Sequence, residues 1–204
     1  MMYHLFLFIL LSYLIGAIPT AYIAARIRIG KDIRREGSGN MGATNALIVI
    51  GPLIGITVYT IDLFKGLVPV LIARHYIGSD ISMAACGLAA IIGHDFPVYV
   101  GFEGGKGIAT TTGVIFGLNS MVMWAIMPCW AILALITDKF ILSSLICVLL
   151  VPLLMFVFKI STVFTLFGVA YLLLALFTHR RDIVRILEGK EKGARESVLK
   201  YFGR

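Results

Sequence analysis

The feature that most constrains this sequence is a succession of apolar stretches separated by short polar breaks. Hydrophobic residues make up 59% of the 204 residues and charged residues only 14%, which leaves too little polar surface to cover a soluble globule. Several stretches approach the roughly 20 residues that span a bilayer core, whereas others are long enough for only half a crossing. The apolar stretches fall at residues 5–25, 46–61, 66–77, 81–100, 108–118, 121–137, 140–158 and 161–178.

These stretches predict helices, because every backbone amide in hydrocarbon needs an internal partner and the stretches lack the alternation of a membrane barrel. We therefore predict an all-α polytopic membrane protein. No long linker or repeat is visible, so we predict one transmembrane domain at residues 1–178 and a basic amphipathic tail at residues 179–204.

The basic residues predict the orientation in the membrane. Residues 1–4 contain no Lys or Arg, whereas five basic residues follow within residues 26–35, the reverse of a secretory signal peptide. Thirteen of the 18 Lys and Arg residues lie there or in residues 180–204, which predicts that both regions are cytoplasmic and that the N-terminus is outside. A chain that starts outside and ends in the cytoplasm crosses the membrane an odd number of times. We predict seven crossings, some short or broken around the site, with five as the alternative.

The net charge of +7 is therefore a signal of topology, and we predict no nucleic-acid partner. The three cysteines, Cys86, Cys129 and Cys147, all lie in apolar segments. This placement favours packing over a disulfide or a metal site, and we predict no metal and no cofactor.

The first polar segment, residues 32–45, follows the basic loop. Its glycines permit tight turns, and its short polar side chains can bind oxygen ligands or cap a helix. Amides at the start of the next helix would cradle an anion, with Arg34 or Arg35 supplying positive charge. A solvated turn with an ordinary N-cap is the alternative. The candidate residues in this segment are Arg34, Arg35, Ser38, Gly39, Asn40, Thr44 and Asn45.

The second polar segment, residues 93–110, places three glycines around Lys106 just before a helical stretch. Backbone amides, the positive helix end and the ammonium group could converge on one phosphate. A nucleotide P-loop has Ser or Thr after its Lys, whereas Gly107 follows here, so ATP or GTP binding is not supported. Close helix packing with a snorkelling Lys is the alternative. The candidate residues are His94, Gly104, Gly105, Lys106, Gly107 and Thr110.

Two ionisable residues, Asp62 and Lys65, lie inside an apolar stretch. Their spacing of three places them on one helix face, where they can pair. Because an unpaired charge at membrane depth is costly, they indicate a functional site. A purely structural ion pair and direct substrate contact both remain open.

The start of the tail predicts an amphipathic helix on the cytoplasmic surface, since Ile183, Ile186 and Leu187 recur at helical spacing. His179 and Asp182 stand one turn apart at its membrane end. A basic helix held by anionic lipids is the alternative to a catalytic role.

In a further pattern, four residues separate His75 from Asp80, which matches the His-x4-Asp motif of an unrelated acyltransferase class. The predicted topology places it outside, away from the basic loops. We therefore interpret it as a helix end with Asp80 at the next cap.

Taken together, residues 37–45, 93–110 and 179–191 resemble the motifs of the bacterial acyl-phosphate-dependent glycerol-3-phosphate acyltransferases. The resemblance covers nearly the whole chain, including the order and spacing of the three motifs. It implies transfer of an acyl group from acyl phosphate to the 1-hydroxyl of glycerol 3-phosphate, which gives lysophosphatidic acid and phosphate. It also implies a multi-pass protein of the bacterial inner membrane, with its active site facing the cytoplasm and membrane lipids around it. The enzyme that makes acyl phosphate is a further candidate partner.

The resemblance also implies roles for individual residues. Ser38, Asn40 and an Arg of the first motif, for which we take Arg35, would lie at the substrate site, and His179 beside it. The loop at residues 104–107, with Lys106, would bind phosphate. Apart from these implied roles, we predict that Asp62 and Glu191 support the site and that Asp182 contacts substrate. The family usually has Asn at the position of Asp182, and commonly Gly at the position of Phe64.

Acyl phosphate is already activated, so the reaction needs no nucleophilic triad, and none is evident in the sequence. We therefore predict direct transfer without an acyl-enzyme, with electrostatic stabilisation by cations and amides. A substrate phosphate or His179 would take the proton. The rival class is a transporter of organic phosphates, which also uses broken helices around a polar site.

Overall fold

The computed structural model describes residues 2–191 and 193, and within them it contains helices and no strand. This confirms the predicted all-α polytopic membrane fold. The remaining tail residues of the predicted 179–204 segment, 192 and 194–204, lie outside the described residues. The α-helices are α1 Met2–Gly16, α2 Thr20–Ile29, α3 Ala43–Val49, α4 Pro52–Tyr76, α5 Asp80–Asp95, α6 Ile108–Leu118, α7 Ser120–Thr137, α8 Phe140–Val157, α9 Thr162–Thr178 and α10 Arg180–Leu187.

Among the described residues, five helical segments are long and apolar enough to cross a membrane, namely Tyr3–Ile29, Pro52–Tyr76, Asp80–Val100, Ser120–Thr137 and Phe140–Val157. The 17-residue α9 adds a sixth candidate if it is counted together with α10, to which it is joined by a 67° bend. The 11-residue α6 is shorter than a full span. Seven crossings therefore require both α6 and α9, and the exact number stays a prediction.

The separate apolar stretches at residues 46–61 and 66–77 do not form separate helices, because α4 runs without interruption through the polar residues between them. Asp62 and Lys65 form an ion pair inside the protein, so neither charge interrupts the helix. A polar interruption of an apolar stretch is thus not always the end of a helix.

The helices group into two compact units, Met1–Leu118 and Asn119–Arg204. In the first, α1 packs against α5, and α4 packs against α3, α5 and α6. Glycine allows the close approach of α4 and α6, since a Cβ on Gly66 would overlap the Thr110 carbonyl and one on Gly113 would overlap the Leu63 carbonyl. In the second, α8 packs against both α7 and α9. The predicted division at residues 178 and 179 stays a prediction.

The His75–Asp80 segment is a simple connection between α4 and α5. His75 lies in the last turn of α4, and Asp80 is the first residue of α5. The cap is Ser79 rather than Asp80, because the Ser79 hydroxyl accepts a hydrogen bond from the Ser82 amide at 3.2 Å.

Candidate active site

The first polar loop begins where α2 ends at Gly30, and its conformation is set by Asp32. The Asp32 carboxylate accepts hydrogen bonds from the Arg34 amide at 3.0 Å and from the Arg34 guanidinium, whose Nη2 lies 2.7 Å from Oδ2. Hydrogen bonding to Arg34 lowers the pKa of Asp32 to about 2. The carboxylate is therefore ionised at any physiological pH, and it holds the Arg34 side chain in one orientation.

Arg34 connects the first loop to the second. Its Nη1 donates to the Val100 carbonyl at 3.0 Å and to Glu103 Oε2 at 3.1 Å. Both ends of the guanidinium are thus occupied by protein groups. Arg35 differs from its neighbour, since it is exposed and its guanidinium forms no hydrogen bond or ion pair with any described residue. Of the two predicted arginines, Arg35 has the guanidinium that is accessible to a substrate.

The loop wraps around Asn45, which lies at the start of α3 and is fully buried. Its side-chain nitrogen donates to the carbonyls of Ile33, Glu36 and Asn40 at 2.9–3.1 Å, and its oxygen accepts from the Ser38 amide at 2.8 Å. All of these bonds are internal to the loop, which indicates a positioning role rather than the predicted substrate contact.

The other candidates of the first loop are accessible. Ser38, Gly39 and Thr44 are exposed, and Asn40 is half-buried. Gly37 and Gly39 have φ values of +60° and +75°, which side-chain-bearing residues rarely adopt. The bent backbone around Asn45 therefore presents the Ser38 and Thr44 side chains at the surface.

The second polar loop connects α5 to α6 and folds back on the end of α5. The Gly104 amide donates to the Asp95 carbonyl and the Gly105 amide to the His94 carbonyl, both at 3.1 Å. In this conformation neither amide is directed to an anion, contrary to the role that we predicted for them. The half-buried Lys106, Gly107 and the first turn of α6 remain as candidates for the predicted anion site.

His94 supports this loop from inside the protein. Its side chain is buried, and its Nε2 lies so close to Gly105 that a Cβ at that position would overlap it. His94 Nδ1 lies 3.9 Å from Asp62 Oδ1, an electrostatic contact longer than a hydrogen bond. The predicted substrate contact by His94 stays a prediction, whereas its packing against the glycine loop is evident.

Asp62 and Lys65 pair as the spacing predicted, with 2.6 Å between Lys65 Nζ and Asp62 Oδ1. Thr20 donates its hydroxyl to the same oxygen at 2.9 Å, and Lys65 also donates to the Ile18 carbonyl. The pair therefore connects the middle of α4 to the break between α1 and α2. Because Lys65 is only 4% exposed, its position favours the structural alternative over direct substrate contact.

A residue that was not among the predicted candidates is Asp95, the last residue of α5. Its side chain is 4% exposed, and its carboxylate forms no hydrogen bond with any described residue. A Cβ at Gly107 would lie 3.0 Å from Asp95 Oδ1, so this carboxylate lies directly behind the loop. The hydroxyls of Thr110 and Thr111 are also buried without a partner among the described residues. The position of Asp95 inside an apolar stretch, next to His94, was the sequence feature that could have indicated it.

In the second unit, His179 is buried at the junction of α9 and α10. Its Nδ1 lies 3.0 Å from the Ala175 carbonyl, so a proton on Nδ1 would be donated there and Nε2 would be left as an acceptor. Asp182 is buried one turn later. Glu191 Oε1 accepts hydrogen bonds from the Ile141 and Leu142 amides at the start of α8. The supporting role of Glu191 stays a prediction.

Comparison with known proteins places this arrangement in a family. Residues 6–189 match the family model described as glycerol-3-phosphate acyltransferase. The chain belongs to the glycerol-3-phosphate acyltransferase family. A member from Prochlorococcus marinus (strain NATL2A) is 37% identical over 91% of this chain and 96% of its own length. Another from Thioalkalivibrio sulfidiphilus is 41% identical over 88% and 89%, respectively.

The fold agrees with solved structures of the same family. A crystal structure of PlsY, an integral membrane glycerol 3-phosphate acyltransferase, in its glycerol 3-phosphate form has a TM-score of 0.90 and 32% identity, and covers 93% of this chain and 95% of that one. Its lysophosphatidic acid form has a TM-score of 0.88 and 31% identity, covering 96% and 99%. The resemblance seen in the three motifs is confirmed, and the chain is a membrane acyltransferase. The role of each candidate residue stays a prediction.

Proposed function

We propose that this protein transfers the acyl group of an acyl phosphate to the 1-hydroxyl of glycerol 3-phosphate, which produces lysophosphatidic acid and inorganic phosphate. One observation carries the proposal: Arg34 joins two loops that bear the accessible cation Arg35 and the helix-start cation Lys106. Both substrates are phosphate anions, and cations with helix-start amides are the groups that bind such anions. The relatives' names, and the two ligand forms of PlsY, support the acceptor and the product.

The proposed reaction is a single acyl transfer. The acceptor hydroxyl oxygen attacks the acyl carbon, and the bond between that carbon and the phosphate oxygen breaks. Phosphate leaves with the bonding electron pair, and the hydroxyl proton passes to a substrate phosphate or to His179. Lys106 and Arg35 reduce the repulsion between the two anions and stabilise the developing negative charge.

No acyl-enzyme is needed, because the donor already carries a good leaving group. The exposed Ser38 hydroxyl is not hydrogen-bonded to any described histidine, which supports a binding role over a nucleophilic one. Incubation with acyl phosphate in the absence of acceptor is expected to leave the intact mass unchanged. A trapped acyl adduct in the mass spectrum would contradict direct transfer.

The proposed setting is the bacterial inner membrane, with the loops of residues 30–42 and 96–107 at the cytoplasmic face. The acyl chain of the donor would remain among apolar helices while its phosphate reaches the loops. Glycerol 3-phosphate would arrive from the cytoplasm. This arrangement lets a lipid donor and a water-soluble acceptor meet at one surface, without a cofactor.

The direct test is formation of radiolabelled lysophosphatidic acid by the purified protein in detergent, where transport across a membrane cannot occur. Lys106→Ala removes charge-assisted hydrogen bonds to phosphate, so kcat/KM for glycerol 3-phosphate should fall about 10- to 100-fold. Lys190→Ala is the control, because the exposed Lys190 pairs only with Glu188 at 2.9 Å among the described contacts. Unchanged kinetics of Lys106→Ala would contradict the assigned site, and absence of product from the unmodified protein would contradict the function.

A further inference from the structure

Helix α10 has a surface that the proposed reaction does not use. It follows the apolar helix α9 at a 67° bend, so when α9 crosses the membrane α10 lies closer to the membrane plane. Arg180, Arg181, Val184 and Arg185 line one shallow depression on its surface. Three arginines and one aliphatic residue thus line one small surface.

The charges in this depression are only partly compensated. Arg180 lies over the Phe177 ring, 4.5 Å from its centroid, and donates to the Phe177 carbonyl at 2.8 Å. Arg185 lies 3.9 Å from the Asp182 carboxylate, too far for a hydrogen bond. Arg181 is exposed and forms no ion pair with any described residue. The surface therefore favours an anion, and guanidinium groups match phosphate oxygens in geometry as well as charge.

Apolar side chains accompany these arginines. Val184 is 52% exposed and Leu187 is 82% exposed, and both belong to the same short helix. A free phosphate ion would satisfy the arginines but leave these side chains in water. A phospholipid satisfies both, because its phosphate lies next to its acyl chains.

We propose that α10 is a binding site for an anionic phospholipid of the surrounding membrane. Arg180, Arg181 and Arg185 bind the headgroup phosphate, and Val184 and Leu187 contact the upper acyl chains. The proposal does not depend on the identity of the acyl donor. It holds the end of α9 at the membrane surface.

The test measures lipid binding to the full-length, delipidated protein in detergent by native mass spectrometry. Phosphatidylglycerol is compared with phosphatidylcholine of the same acyl chains. We expect tighter binding of phosphatidylglycerol, weakened about fivefold by Arg181→Gln and largely restored by Arg181→Lys. Equal affinity for the two lipids, or no effect of Arg181→Gln, would overturn the proposal.

Two further variants, one a control and one within the site, distinguish lipid binding from a general effect of charge. Lys159→Asn removes an exposed cation at the opposite end of α9, where φ is +50° and Asn is well tolerated, and it should leave binding unchanged. Leu187→Ser changes an exposed side chain and should weaken lipid binding without loss of folding. Displacement of the lipid by millimolar inorganic phosphate would identify a simple anion site and contradict a lipid site. An equal loss of binding in Lys159→Asn would also contradict it.

Discussion

Arg34 and Arg35 are neighbours of the same type, yet they have different surroundings. Arg34 contacts Asp32 in its own loop and Val100 and Glu103 in the next, whereas Arg35 is exposed. The sequence predicted a cation in this segment, and we took Arg35 for the substrate site, but the sequence did not show what either guanidinium contacts. The distinction depends on which residues of a distant loop approach the guanidinium, and this is a property of the folded chain.

This difference predicts that substitutions of the two arginines have different effects. Arg35→Gln should raise KM for glycerol 3-phosphate about tenfold or more without lowering the thermal unfolding temperature, since only substrate contacts are lost. Arg34→Gln should lower the unfolding temperature and reduce kcat, because the two loops lose their connection. Kinetics and thermal unfolding of both variants in detergent check this. The reverse assignment would show that Arg34 is the substrate ligand.

Gly105 shows a second residue-scale effect. A Cβ at this position would overlap the buried His94 ring, so Gly105→Ala should displace the loop and reduce kcat/KM by more than about tenfold. Gly101→Asn is the matched control, because Gly101 has open space around it and its φ of +76° suits Asn. Activity assays of the two variants distinguish a packing requirement from a general effect of loop mutations. Full activity of Gly105→Ala would contradict the packing requirement.

At the scale of elements, α4 is tied to the break between α1 and α2. Its middle carries the buried Asp62–Lys65 pair, which contacts Thr20 and Ile18 near the break between α1 and α2. The sequence spacing predicted the pair correctly. It could not show that the pair holds a broken helix in place, because these contacts join residues 42 and 47 positions apart.

Replacing one residue of this ion pair should destabilise the protein more than replacing both. Lys65→Met leaves Asp62 buried without its cation, which should cost several kcal/mol and lower the unfolding temperature strongly. The double variant Asp62→Leu/Lys65→Met removes both charges and should be less destabilised than Lys65→Met alone. Thermal unfolding in detergent measures the difference. A double variant that is less stable than either single variant would indicate that the two residues act independently.

The loop between α5 and α6 was only partly predictable. Its glycines and Lys106 were evident from the sequence, and the helix that follows begins where expected. The internal use of the Gly104 and Gly105 amides was not evident, because it requires the end of α5 to lie directly beneath them. Asp95 was missed for the same reason, since its proximity to Gly107 arises only in the folded loop.

At the scale of the whole molecule, the fold class followed from hydropathy alone. Long apolar stretches must form helices in lipid, and most of them appear close to their predicted positions. The number of membrane crossings did not follow from hydropathy. An 11-residue helix such as α6 extends about 16 Å, roughly half of a bilayer core, and only its neighbours decide how deep it lies.

The predicted orientation places residues 26–35 in the cytoplasm and the end of α4 outside. In a variant without native cysteines, His75→Cys should react with a membrane-impermeant maleimide in intact cells, and Lys31→Cys should not. Both positions are exposed, so burial does not explain a difference in labelling. Inverted vesicles should give the opposite result. Labelling of both residues from the same side would show that α4 does not cross.

The central claim concerns the acyl donor. The most direct measurement supplies the purified protein and radiolabelled glycerol 3-phosphate with acyl phosphate, acyl-CoA or acyl carrier protein carrying the same chain. We predict labelled lysophosphatidic acid with acyl phosphate alone. Product formed only with acyl-CoA would contradict the account.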